Sequence, residues 1–295
     1  MALFSKRRGL VAATVAAAAA LALTACGGSD NASGNDKFDV AKDVSISGSP
    51  TFDKLKSAGK IVIGVKEDQP GLGFLDATTG ERSGFDIEIA QWMAASLGFG
   101  GDKIVYKPVD SANREQALAN GDVNMYVGTY SITDKRKEQV GFVGPYFVTG
   151  QGLLVAKDNT DINSEKDLTG KTVCSVTGST PLQNIQQHYP DVKTITFDKY
   201  SQCVEAVKNK QADALTTDQA ILIGYASQEP DKLKVVGEPF TEERYGIGIP
   251  KGDKAFCEAL TKTLSDGGDT WSKIYDETLG KSGTKVEQPT ADPCA

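Results

Sequence analysis

The chain has 295 residues, enough for one large or two medium domains. Its 39% hydrophobic and 24% charged residues lie in the globular range, which excludes a disordered or fibrous chain. A net charge of −7 and a pI near 5.0 exclude nucleic acid as the expected partner, because that role favours a basic face. With one His and five Cys, neither a metal site nor a cofactor is expected. The odd number of Cys needs a physical reason.

Lys6, Arg7 and Arg8 precede an apolar run of 14 residues, Leu10 to Leu23. A spanning helix needs about 20 residues, so the run reads as the core of a secretory signal. It ends in Leu23-Thr24-Ala25-Cys26, which resembles the bacterial lipoprotein box. That resemblance implies a signal peptide over 1–25, cleavage before Cys26 and acyl chains on this Cys. Two or more chains anchor a protein stably to a membrane. Cleavage removes three positive charges and no acid, so the mature chain carries −10. Residues 26–50 are rich in Gly, Ser, Asn and Asp and read as a flexible tether.

The body alternates strand and helix. Lys60 to Val65 is a β-branched run typical of a buried parallel strand. Ser83 to Leu97 carries a helical apolar face through Ile87, Ile89, Ala90, Met93, Ala94 and Leu97. Ile104 to Tyr106 reads as a strand, Asn113 to Ala119 as a helix closed by Asn120-Gly121, and Val123 to Val127 as a strand. Thr133 is placed to cap a short helix. A second set follows Gly144-Pro145-Tyr146. It has strands at Lys171 to Val176, Val192 to Phe197 and Ala212 to Thr217, and helices at Pro181 to His188, Ser201 to Asn209 and Gln219 to Ser227. Tyr245 to Ile249 is then a strand and Lys254 to Leu264 a helix, and the tail from Lys281 has little pattern.

Two extended segments, 147–156 and 234–246, frame this second set. The expected fold is therefore α/β, with two lobes built on parallel-rich sheets and joined by a two-strand hinge. Residues 51–146 form the first part of lobe 1, 147–240 lobe 2, and 241–295 the return to lobe 1 and the tail. A cleft between such lobes is a common ligand site, and a two-strand hinge permits closure. Once Cys26 is set aside, four Cys allow three pairings. Pairing within each lobe selects Cys174–Cys203 and Cys257–Cys294.

The sequence resembles the polar amino-acid solute-binding proteins of ABC importers, of the periplasmic-binding-protein-like type II fold, over about residues 52–280. The motifs are Gly84-Phe-Asp-Ile-Glu-Ile-Ala90, Ser131-Ile-Thr-Asp-Lys-Arg-Lys137, Gly144-Pro-Tyr146 and Gln211-Ala-Asp-Ala-Leu-Thr-Thr-Asp218. Glutamate-binding lipoproteins of Gram-positive bacteria share this pattern. It implies a lipid-anchored, extracytoplasmic, monomeric receptor that closes over an amino acid and delivers it to an ABC permease.

The resemblance also implies a ligand set. A zwitterion needs cations and N–H donors for its carboxylate and an acid for its ammonium, since buried charges must be paired. Arg136 matches the family's α-carboxylate Arg, with Thr129, Ser131 and Thr180 as further donors. Asp218 matches the partner of the α-ammonium, although its place before a helix also suits a cap. Lys66, Ser111 and Arg114 match contacts to a side-chain carboxylate, which points to glutamate or aspartate. Phe74, Phe85 and Tyr200 are candidates for the pocket wall. Asp86 reads as a helix cap rather than a ligand contact. An exported dehydratase-like enzyme, with Glu67 or Asp68 as acid, and a ligand sensor are the alternatives on this fold; His188 falls on a surface helix.

Overall fold

The computed structural model describes residues 36–282 and 286–294. The expected signal peptide, Cys26 and the first part of the tether lie outside the described residues. The rest of the expected tether does not behave as one. Lys37 pairs with Glu88 at 2.6 Å and Glu277 at 2.7 Å, and the Ala41 N–H donates to the Ala95 carbonyl at 2.9 Å. Ser49 then caps the helix Pro50–Ala58 by accepting the Phe52 N–H at 3.0 Å. Pro50 suits its first turn, and Gly59 ends it at φ 65°.

Two five-stranded sheets follow. In the first the order is Ile104–Pro108, Ile61–Val65, Met125–Tyr126, Glu243–Ile249 and Gly141–Thr149. In the second it is Lys193–Phe197, Thr172–Val176, Ala214–Asp218, Gln151–Ala156 and Leu233–Val236. Each sheet is mixed: its first three strands are parallel, and the last two join antiparallel. The expected parallel character is confined to those three strands, because the chain that crosses between lobes has to return. A small third sheet joins Asp68–Gln69, Gly73–Leu75 and Arg82–Ser83.

The expected extended stretch 147–156 is two strands, one in each sheet, separated at Gly150. The lobes therefore change near 150 rather than 147. A Cβ on Gly150 would lie 2.3 Å from the Thr241 carbonyl, so the two hinge crossings can approach this closely only with glycine there. The neighbouring bonds, Gln219 N–H to the Gly150 carbonyl at 2.8 Å and Phe240 N–H to the Gln151 carbonyl at 2.9 Å, tie both crossings to the second lobe.

One apolar cluster runs through both lobes, with a smaller one in each. In the first lobe, Phe85 of the helix Phe85–Ser96 meets Phe147 at 5.5 Å and Trp271 at 5.9 Å between ring centroids. Trp271 belongs to a helix, Gly268–Glu277, for which no expectation was formed. In the second lobe, Leu153, Val155, Leu168, Val173 and Ile185 cluster around the sheet. Both disulfides form, Cys174–Cys203 with a Cα separation of 5.5 Å and Cys257–Cys294 with 5.9 Å. The second one holds down the tail, whose Asp292 carboxylate accepts from the Arg244 guanidinium at 2.8 Å and whose Asp292 N–H donates to the Gly144 carbonyl at 2.7 Å.

Candidate functional site

The charged groups of the site follow the C-terminal ends of the parallel strands in both lobes, where open α/β sheets expose backbone and side chains to a ligand. Lys66 follows Ile61–Val65, Ser111 and Arg114 follow Ile104–Pro108, and Thr129 follows Met125–Tyr126. From the other lobe, the 177–180 turn follows Thr172–Val176, Tyr200 follows Lys193–Phe197, and Asp218 ends Ala214–Asp218. These ends face one another. They enclose a cavity of about 10 Å³ lined by Ser111, Arg114, Thr129, Ser179, Thr180, Pro181, Tyr200, Asp218 and Ile221. That is room for about one water, so an amino acid can enter only when the lobes part.

The first lobe contributes three buried cations. Lys66 Nζ donates to the Val109 carbonyl at 3.2 Å and to Ser111 Oγ at 3.0 Å. Burial, reinforced by the Arg114 charge, pushes its ammonium down to about 7. Arg114 donates from Nε to the Ser111 carbonyl at 3.0 Å and from Nη1 to the Thr129 carbonyl at 3.2 Å, and lies 4.4 Å over the Tyr130 ring. Among the described residues neither cation has a carboxylate within ion-pair distance. Arg136 does: its Nε meets Glu115 at 3.2 Å, while Nη1 donates to the Ser131 carbonyl at 2.7 Å. Burial and the Arg114 charge lower Arg136 to about 10. Arg136 is placed by the short helix Asp134–Lys137, which Thr133 caps as expected by accepting the Arg136 N–H at 3.2 Å.

One oxygen marks where these cations converge. The Gly178 carbonyl of the second lobe accepts from Arg114 Nη2 at 3.2 Å and from Arg136 Nη2 at 3.0 Å. One oxygen thus accepts from two guanidinium groups, a geometry that suits an anionic acceptor. Beside it, Thr180 Oγ1 donates to Glu243 at 2.7 Å and lies 3.4 Å from Ser131 Oγ.

Asp218 provides the opposite charge. It stands at the start of the helix Gln219–Gln228 yet makes no side-chain cap. One oxygen accepts the Tyr245 hydroxyl at 2.7 Å, and the other is buried without a partner among the described residues. Burial, with the Glu243 charge beside it, raises this carboxyl well above the usual range. A carboxylate in such a position gains most from an incoming cation.

Asp86 is not a cap either. The N-cap is Gly84, and Asp86 accepts the Thr129 N–H at 3.1 Å and the Tyr146 hydroxyl at 2.8 Å. The Gly84–Ala90 and Gly144–Tyr146 motifs thus meet on one carboxylate. Together they hold Thr129 in the left-handed region, φ 47°, at a site-lining turn. Burial raises Asp86 to about 6.

The structure brings together Lys66, Ser111, Arg114, Thr129, Ser131, Arg136, Thr180, Tyr200 and Asp218. It does not bring the two Phe candidates there. Phe85 is fully buried in the first-lobe aromatic cluster, and Phe74 is half-buried on the small sheet opposite Ser83. Neither is among the residues that line the cavity. Glu115, Glu243 and Gly178 are in the site and were not anticipated. Glu115 is adjacent to Arg114 and could have been found as its acidic neighbour. Glu243 and Gly178 carry no local signal, since only lobe contact gives them partners. A roomier groove of about 460 Å³ runs along the hinge between Phe147, Ile223, Pro239 and Val286. Among the described residues its charged lining is the acid Glu242.

The two alternative acids are already engaged. Glu67 pairs with Lys199 at 2.7 Å, and Asp68 accepts the Ser201 N–H at 3.1 Å. His188 is exposed at the end of its helix. Two similar lobes on a two-strand hinge, with charges of both signs buried between them, define a binding protein of the type II periplasmic class. Residues 61–281 match the bacterial extracellular solute-binding proteins, family 3, and the chain belongs to that family. It is 43% identical over 253 residues to a glutamine-binding protein of Geobacillus stearothermophilus, covering 85% of this chain and 96% of the relative. To the glutamate-binding protein GluB of Corynebacterium efficiens it is 39% identical over 296 residues, covering 95% and 94%. An ancestral arginine-binding protein, solved with arginine and with glutamine, superposes with a TM-score of 0.70 at 36% identity. It covers 75% of this chain and 98–99% of the solved one. The relatives are solute receptors, and the chain is a binding protein rather than an enzyme. Among the described residues no helix is long and apolar enough to cross a membrane.

Proposed function

We propose that this protein is an extracytoplasmic receptor, anchored through lipid on Cys26, that captures L-glutamate by hinge closure and hands it as a monomer to an ABC permease. L-Aspartate is the second ligand. The observation that carries the ligand class is the pair Lys66 and Arg114, two buried cations without a carboxylate in ion-pair reach among the described residues. In this reading the side-chain carboxylate of glutamate pairs with Lys66, Arg114 and Ser111. The α-carboxylate displaces the Gly178 carbonyl from Arg136 and takes further donors from Ser131, Thr129 and Thr180. The α-ammonium meets Asp218.

Binding starts on the first lobe, which holds the cations, and the second lobe engages through Asp218 as it swings in. Only the closed form makes both sets of contacts, so the ligand shifts the population towards it. Glutamine is the alternative, supported by the printed ligand of the Geobacillus relative. It would leave Lys66 and Arg114 without an anion, at a cost of about 3–5 kcal/mol, or roughly 10²–10⁴ in affinity. Calorimetric titration with glutamate, aspartate, glutamine and asparagine tests the assignment. Glutamate is expected to bind most tightly, and glutamine binding as tightly as glutamate would sink it.

A further inference from the structure

The lobes meet a second time at the rim of the cleft, outside the cavity. From the first lobe come Glu67, Asp68 and Pro70, at the edge of the small sheet. From the second come the start of the helix Tyr200–Lys208 and the middle of the helix Gln219–Gln228. The Tyr225 hydroxyl donates to the Asp68 carbonyl and lies 3.2 Å from its carboxylate. The same carboxylate accepts the Ser201 N–H at 3.1 Å, and Lys199 pairs with Glu67 at 2.7 Å. Between them, Gly224 lies directly against Pro70: a Cβ there would sit 2.2 Å from the Pro70 carbonyl oxygen. Glu67, Asp68, Pro70, Lys199, Ser201, Gly224 and Tyr225 are not among the residues that line the cavity.

Gly224 is the informative position. Glycine is among the poorest residues for a helix interior, and Ala is the best. The space around Gly224 is limited by Pro70 of the other lobe, at the distance above. Parted lobes would remove that neighbour and with it any steric reason for glycine. The residue therefore weakens the second lobe's own helix and makes sense only for the closed form.

We propose that Gly224, Tyr225 and Asp68 form a rim latch that sets how long the closed receptor holds its ligand. The inference rests on capture by hinge closure and not on which amino acid is captured. The contacts exist only when the lobes are shut, so they favour the closed form without touching the ligand. As contacts of the closed form, they are proposed to act on release, where affinity differences mostly reside.

The test uses Gly224→Ala and Tyr225→Phe in the full-length protein. Association and release rates are measured with whichever of glutamate, aspartate, glutamine and asparagine binds the wild type most tightly, and the thermal midpoint is taken without ligand. Gly224→Ala is expected to speed release at least about tenfold with little change in association, and to keep its midpoint at or above the wild-type value. Better helix propensity raises the midpoint while the added Cβ blocks closure, a combination that a purely structural glycine would not produce. Tyr225→Phe removes one hydroxyl and is expected to speed release by a smaller factor. Unchanged release in both variants overturns the latch. So does an affinity loss in Gly224→Ala accompanied by a lower midpoint, if Tyr225→Phe releases at the wild-type rate. A best ligand other than glutamate contradicts the proposed specificity and leaves this comparison intact.

Discussion

The second lobe repeats the sheet plan of the first, three parallel strands followed by two antiparallel ones, and both present the same strand ends to the cleft. What they present differs. The first lobe offers three buried cations, Lys66, Arg114 and Arg136, of which the two guanidinium groups reach the Gly178 carbonyl of the second lobe. The second offers a turn with the Gly178 carbonyl and the Thr180 hydroxyl, and one carboxylate, Asp218. The same backbone plan thus carries cations on one side and a carboxylate on the other. Under the proposed function, a ligand with both charges would satisfy the two faces together and so couple recognition to closure.

Removing the second lobe's contribution is expected to have the largest effect. Asp218→Asn keeps the shape and removes the charge, so a bound ammonium would be left without its partner. Calorimetry should read a loss of about 10²–10⁴ in affinity. A loss under threefold would place the ammonium elsewhere. On the first lobe Arg136→Lys keeps the charge and removes the planar fork. The loss expected is smaller, about 1.5–3 kcal/mol for hydrogen bonds to a charged group. Equal losses in the two variants would erase the contrast between the faces.

A subtler difference is in pH. Lys66, held at about 7 by burial and by Arg114 against the opposing pull of Asp68 and Asp110, is charged below pH 7 and loses its proton above it. Glutamate needs the charged form. Above about pH 7 its binding must therefore take up a proton, and its affinity should fall by up to about tenfold per pH unit. Glutamine affinity should not fall over the same range and should rise if charged Lys66 opposes it, because losing the proton removes an unpaired charge. The signature is a binding enthalpy for glutamate that varies with the ionisation enthalpy of the buffer at pH 8 and not at pH 6.

Much of this was legible in the sequence. The strand ends that carry Lys66, Arg114 and Asp218 follow from periodicity, and the Thr133 cap and both disulfides from local spacing and lobe assignment. The helix Pro50–Ala58 was not foreseen although Ser49-Pro50 and Gly59 bracket it; the expected tether ends at residue 50, where this helix begins. Other features depend on tertiary contact. Asp86 looks like a cap because it follows Gly84 at a helix start, and only the fold brings Thr129 and Tyr146 to it. Phe85 looks available for a pocket until Trp271 and Phe147 close over it. Glu243 reads as one more polar residue on a hinge strand, and its partner Thr180 is 63 residues away in the chain. Gly224 reads as a tolerated helix glycine until Pro70 of the other lobe sets its limit.

The most direct measurement crosses one residue with two ligands. Wild type and Lys66→Met are titrated with glutamate and with glutamine at pH 6, where Lys66 is charged. If the buried cations read an acidic side chain, the substitution weakens glutamate by about 10² or more and leaves glutamine unchanged or tighter. Equal effects on the two ligands, or a wild type that binds glutamine at least as tightly as glutamate, would contradict it.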